Sequence, residues 1–421
     1  MGCSPSRVTP PGDVHMGECT LRSTEQPAKL AYAARIHPVP GKDQDRYVLN
    51  VEGRSALVVG IFDGHSVHSQ LDGQRHAELA ARELPRALWK RARAHLGGRF
   101  TDGADLLALS RLSSAERMEE LMKLYPPAKG EPARASAGAP SELAAAAAVA
   151  FDGYQQGMEQ RYGREVAAAI LAEKKKLEAE VGEELPVELP QEGGTTATLL
   201  LVHPRGVFAA WVGDSRAVAG LRRAEGGGDW SALALTADHN ARDPAERARL
   251  LDAGGKTGAE GTAHCDHVFV AGAEGSLKVT RSLGDSPFHK GRAVSSTPGA
   301  VHVPLTRELA FLIVASDGIW DHLTDDEAVQ LVGKALAGEE VWGAEAAARA
   351  CDALVQEVLR IATGEATAEN PDGAAPARPL KHRASSTPLD DMSVAVVLRR
   401  GDDAAASRGA GAPTSVTHRV M

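Results

Sequence analysis

Four stretches of this chain share one pattern: an apolar, strand-like run that ends at, or begins just after, an aspartate. Ala56 to Phe62 runs into Asp63-Gly64-His65, and Val207 to Gly213 runs into Asp214-Ser215-Arg216. Leu309 to Ser316 precedes Asp317-Gly318, and Asp390-Asp391 opens the run Met392 to Leu398. Near-continuous apolar runs of this length read as strands buried on both faces. Carboxylates at the ends of strands in one sheet can converge. A converged acidic cluster is costly unless hard cations neutralise it. The pattern therefore points to a metal site.

Composition narrows the partners. The chain has 421 residues, enough for one large domain or two average ones. A formal charge of −9 argues against a nucleic-acid partner, which needs a basic footprint. The four cysteines, Cys3, Cys19, Cys265 and Cys351, show no paired spacing, which fits a reducing compartment. The N-terminus lacks the apolar core of a secretory signal, and the alanine-rich run Leu143 to Phe151 is too short to span a bilayer. A soluble, cytoplasmic monomer is the expectation. The start Met1-Gly2-Cys3-Ser4-Pro5-Ser6 adds a further one, because it fits N-myristoylation at Gly2 with Cys3 beside it for palmitoylation. One acyl chain anchors marginally and two anchor stably, so the pair predicts membrane association.

Along the chain, residues 1–28 read as a flexible arm, residues 29–400 as one domain, and residues 401–421 as a disordered tail. Insertions are expected at about 97–140 and 363–388, where proline, glycine and low complexity interrupt the pattern. Helices are predicted from Arg75 to Ala94, within the first insertion from Ser113 to Leu124, and from Ser141 to Leu177. Two more are predicted from Asp325 to Ala335 and from Glu340 to Ile361. Thr195 to Val202 and Val207 to Val212 read as a hairpin.

Taken singly, the motifs are weak, since a lone Asp-Gly is usually a turn. Their order is what counts. The chain carries Asp43-Gln44-Asp45-Arg46, Phe62-Asp63-Gly64-His65 and Gly194-Thr195-Thr196-Ala197, then Gly213-Asp214-Ser215-Arg216 and Asp238-His239-Asn240. Val279-Thr280-Arg281-Ser282-Leu283-Gly284-Asp285, Ser316-Asp317-Gly318-Ile319-Trp320-Asp321 and Asp390-Asp391-Met392-Ser393 follow. This ordered set resembles the metal-dependent serine/threonine phosphatases of the protein phosphatase 2C (PPM) family, over about Leu30 to Arg400.

The resemblance implies an α+β fold: two antiparallel β-sheets packed as a sandwich and flanked by α-helices. It implies hydrolysis of phosphoserine and phosphothreonine on phosphoprotein substrates by a metal-activated water, with no phosphoenzyme. Two Mg²⁺ or Mn²⁺ ions would be held by Asp63 as the bridging ligand and the Gly64 carbonyl, with Asp317, Asp390 and Asp45 completing the set. Asp214 with Asp317 resembles a weaker third metal site. His65 stands where a general acid would protonate the leaving alkoxide, and imidazole suits that work near neutrality.

The chain also departs from the family pattern. Gln44 stands where many members have glutamate, Ser66 where glycine is usual, and Asp391 where asparagine is usual. The phosphate-binding cation is left open between Lys42 and Arg35. Asp285, Asp321 and Arg281 read as structural, Asp238 and His239 as a loop network, and His264, Cys265 and His267 as part of a surface loop. Two other readings stay open. One is a catalytically weak or inactive phosphatase-fold module tethered at a membrane; the other is hydrolysis of a small phosphoester.

Overall fold

The computed structural model describes residues 14–400, apart from 24–26, 41, 54, 67–69, 97–104, 124–140, 182–192, 224–229, 260–261, 263, 340 and 364–388. Gly2 and Cys3, the residues 401–421 and most of both expected insertions lie outside the described residues.

Two antiparallel sheets form the centre. The first has the order β1 (His15–Leu21), β2 (Ala28–His37), β16 (Met392–Arg399), β15 (Leu309–Ala315), β9 (Arg216–Arg222) and β10 (Trp230–Ala234). The second has the order β14 (Gly299–Pro304), β8 (Gly206–Val212), β7 (Ala197–His203), β4 (Ala56–Phe62) and β3 (Arg46–Glu52). A small third sheet joins β13 (Leu283–Gly284), β6 (Gly194–Thr195) and β5 (Gly64–His65) at the end of the second. A separate ribbon pairs β11 (Lys256–Thr257) with β12 (Val268–Phe269).

Both faces of the central strands are apolar because both are covered. Between the sheets, Leu30, Ala34 and Ile36 of β2 meet Leu57, Val59 and Ile61 of β4, Leu200 of β7 and Val314 of β15. The alternate residues face outward. Ala31 and Ala33 of β2 with Phe311 and Ile313 of β15 pack under α7 (Asp325–Ala335) and α8 (Ala344–Thr363). Val58 of β4, Leu199 of β7 and Phe208 of β8 pack under α1 (Gln70–Ala92) and α4 (Glu142–Val181). The layers run helix, sheet, sheet, helix, as the strand pattern and the resemblance imply.

The remaining helices are local. α2 (Leu106–Leu109) and α3 (Ser114–Lys123) fall in the first insertion, α5 (Pro244–Asp252) lies beside the ribbon, and α6 (Asp317–Trp320) is a single turn leaving β15. Among the described residues no helix is long and apolar enough to cross a membrane.

One expectation is corrected. The stretch assigned to a flexible arm contains β1, which pairs along its whole length with β2, from His15 opposite Ala34 to Leu21 opposite Ala28. Its exposure alternates residue by residue, as an edge strand requires. The proline and glycine that precede it made the region read as irregular, while the polar half of its alternation hid the strand.

Phe311 tests the outer core. It is fully buried and lies 5.0 Å, centroid to centroid, from Trp230. Phe311→Ala is expected to destabilise the protein by about 3–5 kcal/mol, measured by urea unfolding.

Candidate metal centre

Strand register explains why distant aspartates meet. In β3 and β4, Arg46 pairs with Phe62, so Asp45 just before β3 lies beside Asp63 just after β4. In β15, Ala315 pairs with Val394 of β16 on one side and with Arg216 of β9 on the other. That register sets Asp317 between Asp390-Asp391 and Asp214. The ends of both sheets thus carry acidic residues to one place, and Asp63 feels the charges of Asp45, Asp317, Asp390 and Asp214 together.

The backbone around Asp63 is closely held. Thr196 Oγ1 accepts the Asp63 N–H at 3.1 Å, and the Asp63 carbonyl accepts the Thr196 N–H at 2.8 Å and the Thr195 hydroxyl at 3.0 Å. Gly64 is needed by close approach, because a Cβ there would stand 2.3 Å from the Gly73 carbonyl oxygen and 2.7 Å from that of Gln44. On the other side Asp391 is buried and accepts two backbone N–H groups, from Val39 at 2.8 Å and Gln44 at 2.7 Å. It pins the segment that carries Lys42, Gln44 and Asp45. An asparagine would offer only one such acceptor, so the departure at Asp391 is a clamp for this loop.

The electrostatics follow from crowding. Burial raises the Asp45 carboxyl to about 8, with Asp391 and Asp390 adding to it. Burial, with Asp238 and Asp321 next, raises Asp214 to about 6. Asp63 and Asp317 are pushed well above the carboxylate range, by burial first and then by their acidic neighbours. Asp45 Oδ2 is buried with no hydrogen-bond partner.

This donor set fits hard divalent cations: it offers carboxylate oxygens, one of them orphaned, and excess negative charge. Among the described residues no three of these groups already close on a single point, so the fit rests on donor chemistry and burial. Asp45, Asp317, Asp390 and Asp214 all lie near enough to act on Asp63, and Asp214 and Asp390 act on Asp317.

Two lysines flank the cluster. Lys42 Nζ lies 2.7 Å from Asp390 Oδ2. Lys42 and Lys278 line a cavity of about 90 Å³ with Asp317, Asp321 and Asp390. Asp317 above all holds the Lys278 ammonium above its usual range, against burial and with help from Asp321, Asp214 and Asp390. Arg35 is not brought here. It shares the α8-covered face of β2 with Ala31 and Ala33, and its guanidinium pairs with Asp352 of α8.

His65 Nε2 lies 2.7 Å from Asp285 Oδ2. Burial favours neutral imidazole, but the Asp285 charge and hydrogen bond outweigh it, and the His65 pKa is raised. For Asp285 burial acts upward, and His65 with Ser282 brings the carboxyl below its usual value. Gly194 makes room for this pair, since a Cβ there would stand 2.1 Å from Asp285 Oδ2.

Asp238 accepts from Arg216 Nε and Nη2 at 2.9 Å each, His239 stacks on Trp211, and Arg281 pairs with Glu246. Sequence reasoning missed Lys278 and understated Asp321. The signal for Lys278 was its place between Leu277 and Val279, two buried residues whose alternation turns it to the other side.

Comparison with known proteins bears on the family and the fold. A family model described as Protein phosphatase 2C matches residues 133–367, more than half of the chain. Protein phosphatase 2C homolog 1 of Saccharomyces cerevisiae is 36% identical over 145 residues, which is 34% of this chain and 44% of the relative. Probable protein phosphatase 2C 21 of Oryza sativa subsp. japonica is 30% identical over 205 residues, 45% of this chain and 54% of the relative. Matches to the first curated relatives span between about a third and about a half of the relatives' length. The crystal structure of serine-threonine phosphatase 2C from Toxoplasma gondii has a TM-score of 0.55 at 16% identity, covering 92% of this chain and 99% of that one. A C. elegans sex determining protein has a TM-score of 0.50 at 17% identity, covering 91% of this chain and 64% of that one. These likenesses confirm the fold, an α+β sandwich of antiparallel sheets with flanking helices. The chain belongs to the protein phosphatase 2C family.

The crowded carboxyls make a prediction for the metal-free protein. Groups whose pKa is raised on folding bind more protons folded than unfolded, so stability falls as pH rises from about 4, the unfolded value. The fall continues through about 6 for Asp214 and about 8 for Asp45. In the presence of chelator the urea midpoint should therefore be lower at pH 8 than at pH 5, and Mn²⁺ should shrink the difference. A midpoint that rises across this range would contradict the crowding.

Proposed function

We propose that this protein hydrolyses phosphoserine and phosphothreonine on phosphoprotein substrates. The observation that carries the reading is the cluster of mutually repelling aspartates beside the His65–Asp285 pair, with Asp45 buried and Asp63, Asp214, Asp317 and Asp390 half-buried. Asp45, Asp63, the Gly64 carbonyl, Asp317 and Asp390 would hold two Mg²⁺ or Mn²⁺ ions, with Asp214 serving a weaker third site. When bound, the ions supply Lewis-acid neutralisation of the phosphate and a water acidic enough to act as nucleophile near pH 7.

The chain's own groups do the rest. Lys42 attracts and orients the phosphate at the rim of the cleft, and Lys278 tempers the charge on Asp317 and Asp321. Asp285 fixes His65 through Nε2, which leaves Nδ1 to deliver a proton to the departing alkoxide. Arg35 has no part in this reading, since Asp352 occupies it. The retained carboxylates favour a working enzyme over an inactive binding module.

Asp63→Ala and Asp317→Ala should each abolish Mn²⁺-dependent phosphate release from a phosphopeptide while the circular dichroism spectrum stays unchanged. Retained activity in either folded variant would overturn the mechanism. The proposal extends to the N-terminus, where Gly2 and Cys3 would carry myristate and palmitate and hold the protein at a membrane. Labelling with a myristate analogue should mark the wild type and not Gly2→Ala, and equal labelling would refute this part.

A further inference from the structure

The turn from His264 to His267 carries His264, Cys265 and His267, which the reading above leaves unused. A turn closed by the His267 N–H on the His264 carbonyl, at 3.0 Å, brings the two imidazoles together. His264 Nδ1 stands 3.3 Å from His267 Nε2, and the rings are nearly perpendicular at 84° with centroids 4.6 Å apart. His267 Nδ1 lies 2.8 Å from Ser276 Oγ. That bond orients the ring and turns Nε2 toward His264, the arrangement by which a hydrogen bond on one ring nitrogen prepares the other as a metal ligand.

The spacing decides what the pair can hold. Two nitrogens bound to one tetrahedral zinc at about 2.0–2.1 Å stand about 3.3–3.4 Å apart. The two nitrogens here already have that separation. His264 is exposed and His267 half-buried, so the pair is open to solvent. Asp266 is committed to Arg242, its Oδ2 lying 2.5 Å from Nη2, which leaves nitrogen donors to define the site. Among the described residues no third histidine, cysteine, aspartate or glutamate stands in ligand position with them, so water completes the shell.

We propose that the His264–His267 turn binds a borderline divalent cation of the zinc, nickel or copper class. Its imidazole donors select against the hard ions suited to the aspartate cluster, so the two sites take different metals. The turn leads directly into β12, where Val268 exchanges backbone hydrogen bonds with Leu277 at 2.7 and 3.1 Å. Lys278, the next residue, faces the acidic cluster.

Zinc titration by calorimetry, in excess Mg²⁺ to keep the carboxylates loaded, tests the proposal on the full chain. The wild type should bind one Zn²⁺ that the H264A/H267A double variant does not bind. Ser276→Ala should weaken that site about 10-fold, as expected when the residue orienting a ligand is removed. Cys265→Ser should leave it in place. The exposed His264 makes His264→Ala a second variant whose fold is not at risk, and it too should lose the site. Equal zinc stoichiometry and affinity in the wild type and the double variant would overturn the proposal, as would loss of the site on Cys265→Ser alone.

Discussion

The organising constraint in this protein is the repulsion among aspartates that the fold forces together. Asp45, Asp63, Asp214, Asp317 and Asp390 sit at the ends of strands from both sheets, and each raises the charging cost of its neighbours. A burial this costly persists only where the surrounding structure over-determines it. Here the sandwich core, the Thr195–Thr196 bonds to Asp63 and the Asp391 clamp do that work. The stability of the core is what holds a site the carboxylates would otherwise disperse.

Antiparallel pairing gives the arrangement its economy. The start of one strand lies beside the end of its neighbour, so a residue just before β3 meets one just after β4, and a residue just after β15 meets one just before β16. Asp45 and Asp63, 18 positions apart, and Asp317 and Asp390, 73 apart, are therefore carried to the same end of the sandwich. The cations that temper them come from outside the sandwich: Lys42 from the β2–β3 loop and Lys278 from the bend between Leu277 and Val279.

Much of this was legible in the sequence. Continuous apolar runs announced strands covered on both faces, and aspartates at their ends announced the cluster, because both features are local. What was not legible depends on contacts across the chain. The His65–Asp285 pair joins residues 220 positions apart, and no local pattern predicts it. The choice between Lys42 and Arg35 turned on the parity of β2, where Arg35 shares a face with Ala31 and Ala33 under α8. β1 went unseen because its edge position leaves alternate residues polar. The spacing of His264 and His267 was plain, but the turn that aligns their nitrogens was not.

The most direct test of the central claim is anomalous scattering from crystals of the full chain soaked in Mn²⁺. The account predicts two manganese peaks, both within coordinating distance of Asp63, with Asp45, Asp317 and Asp390 around them. Manganese bound elsewhere, or peaks that leave Asp63 without a metal neighbour, would contradict it.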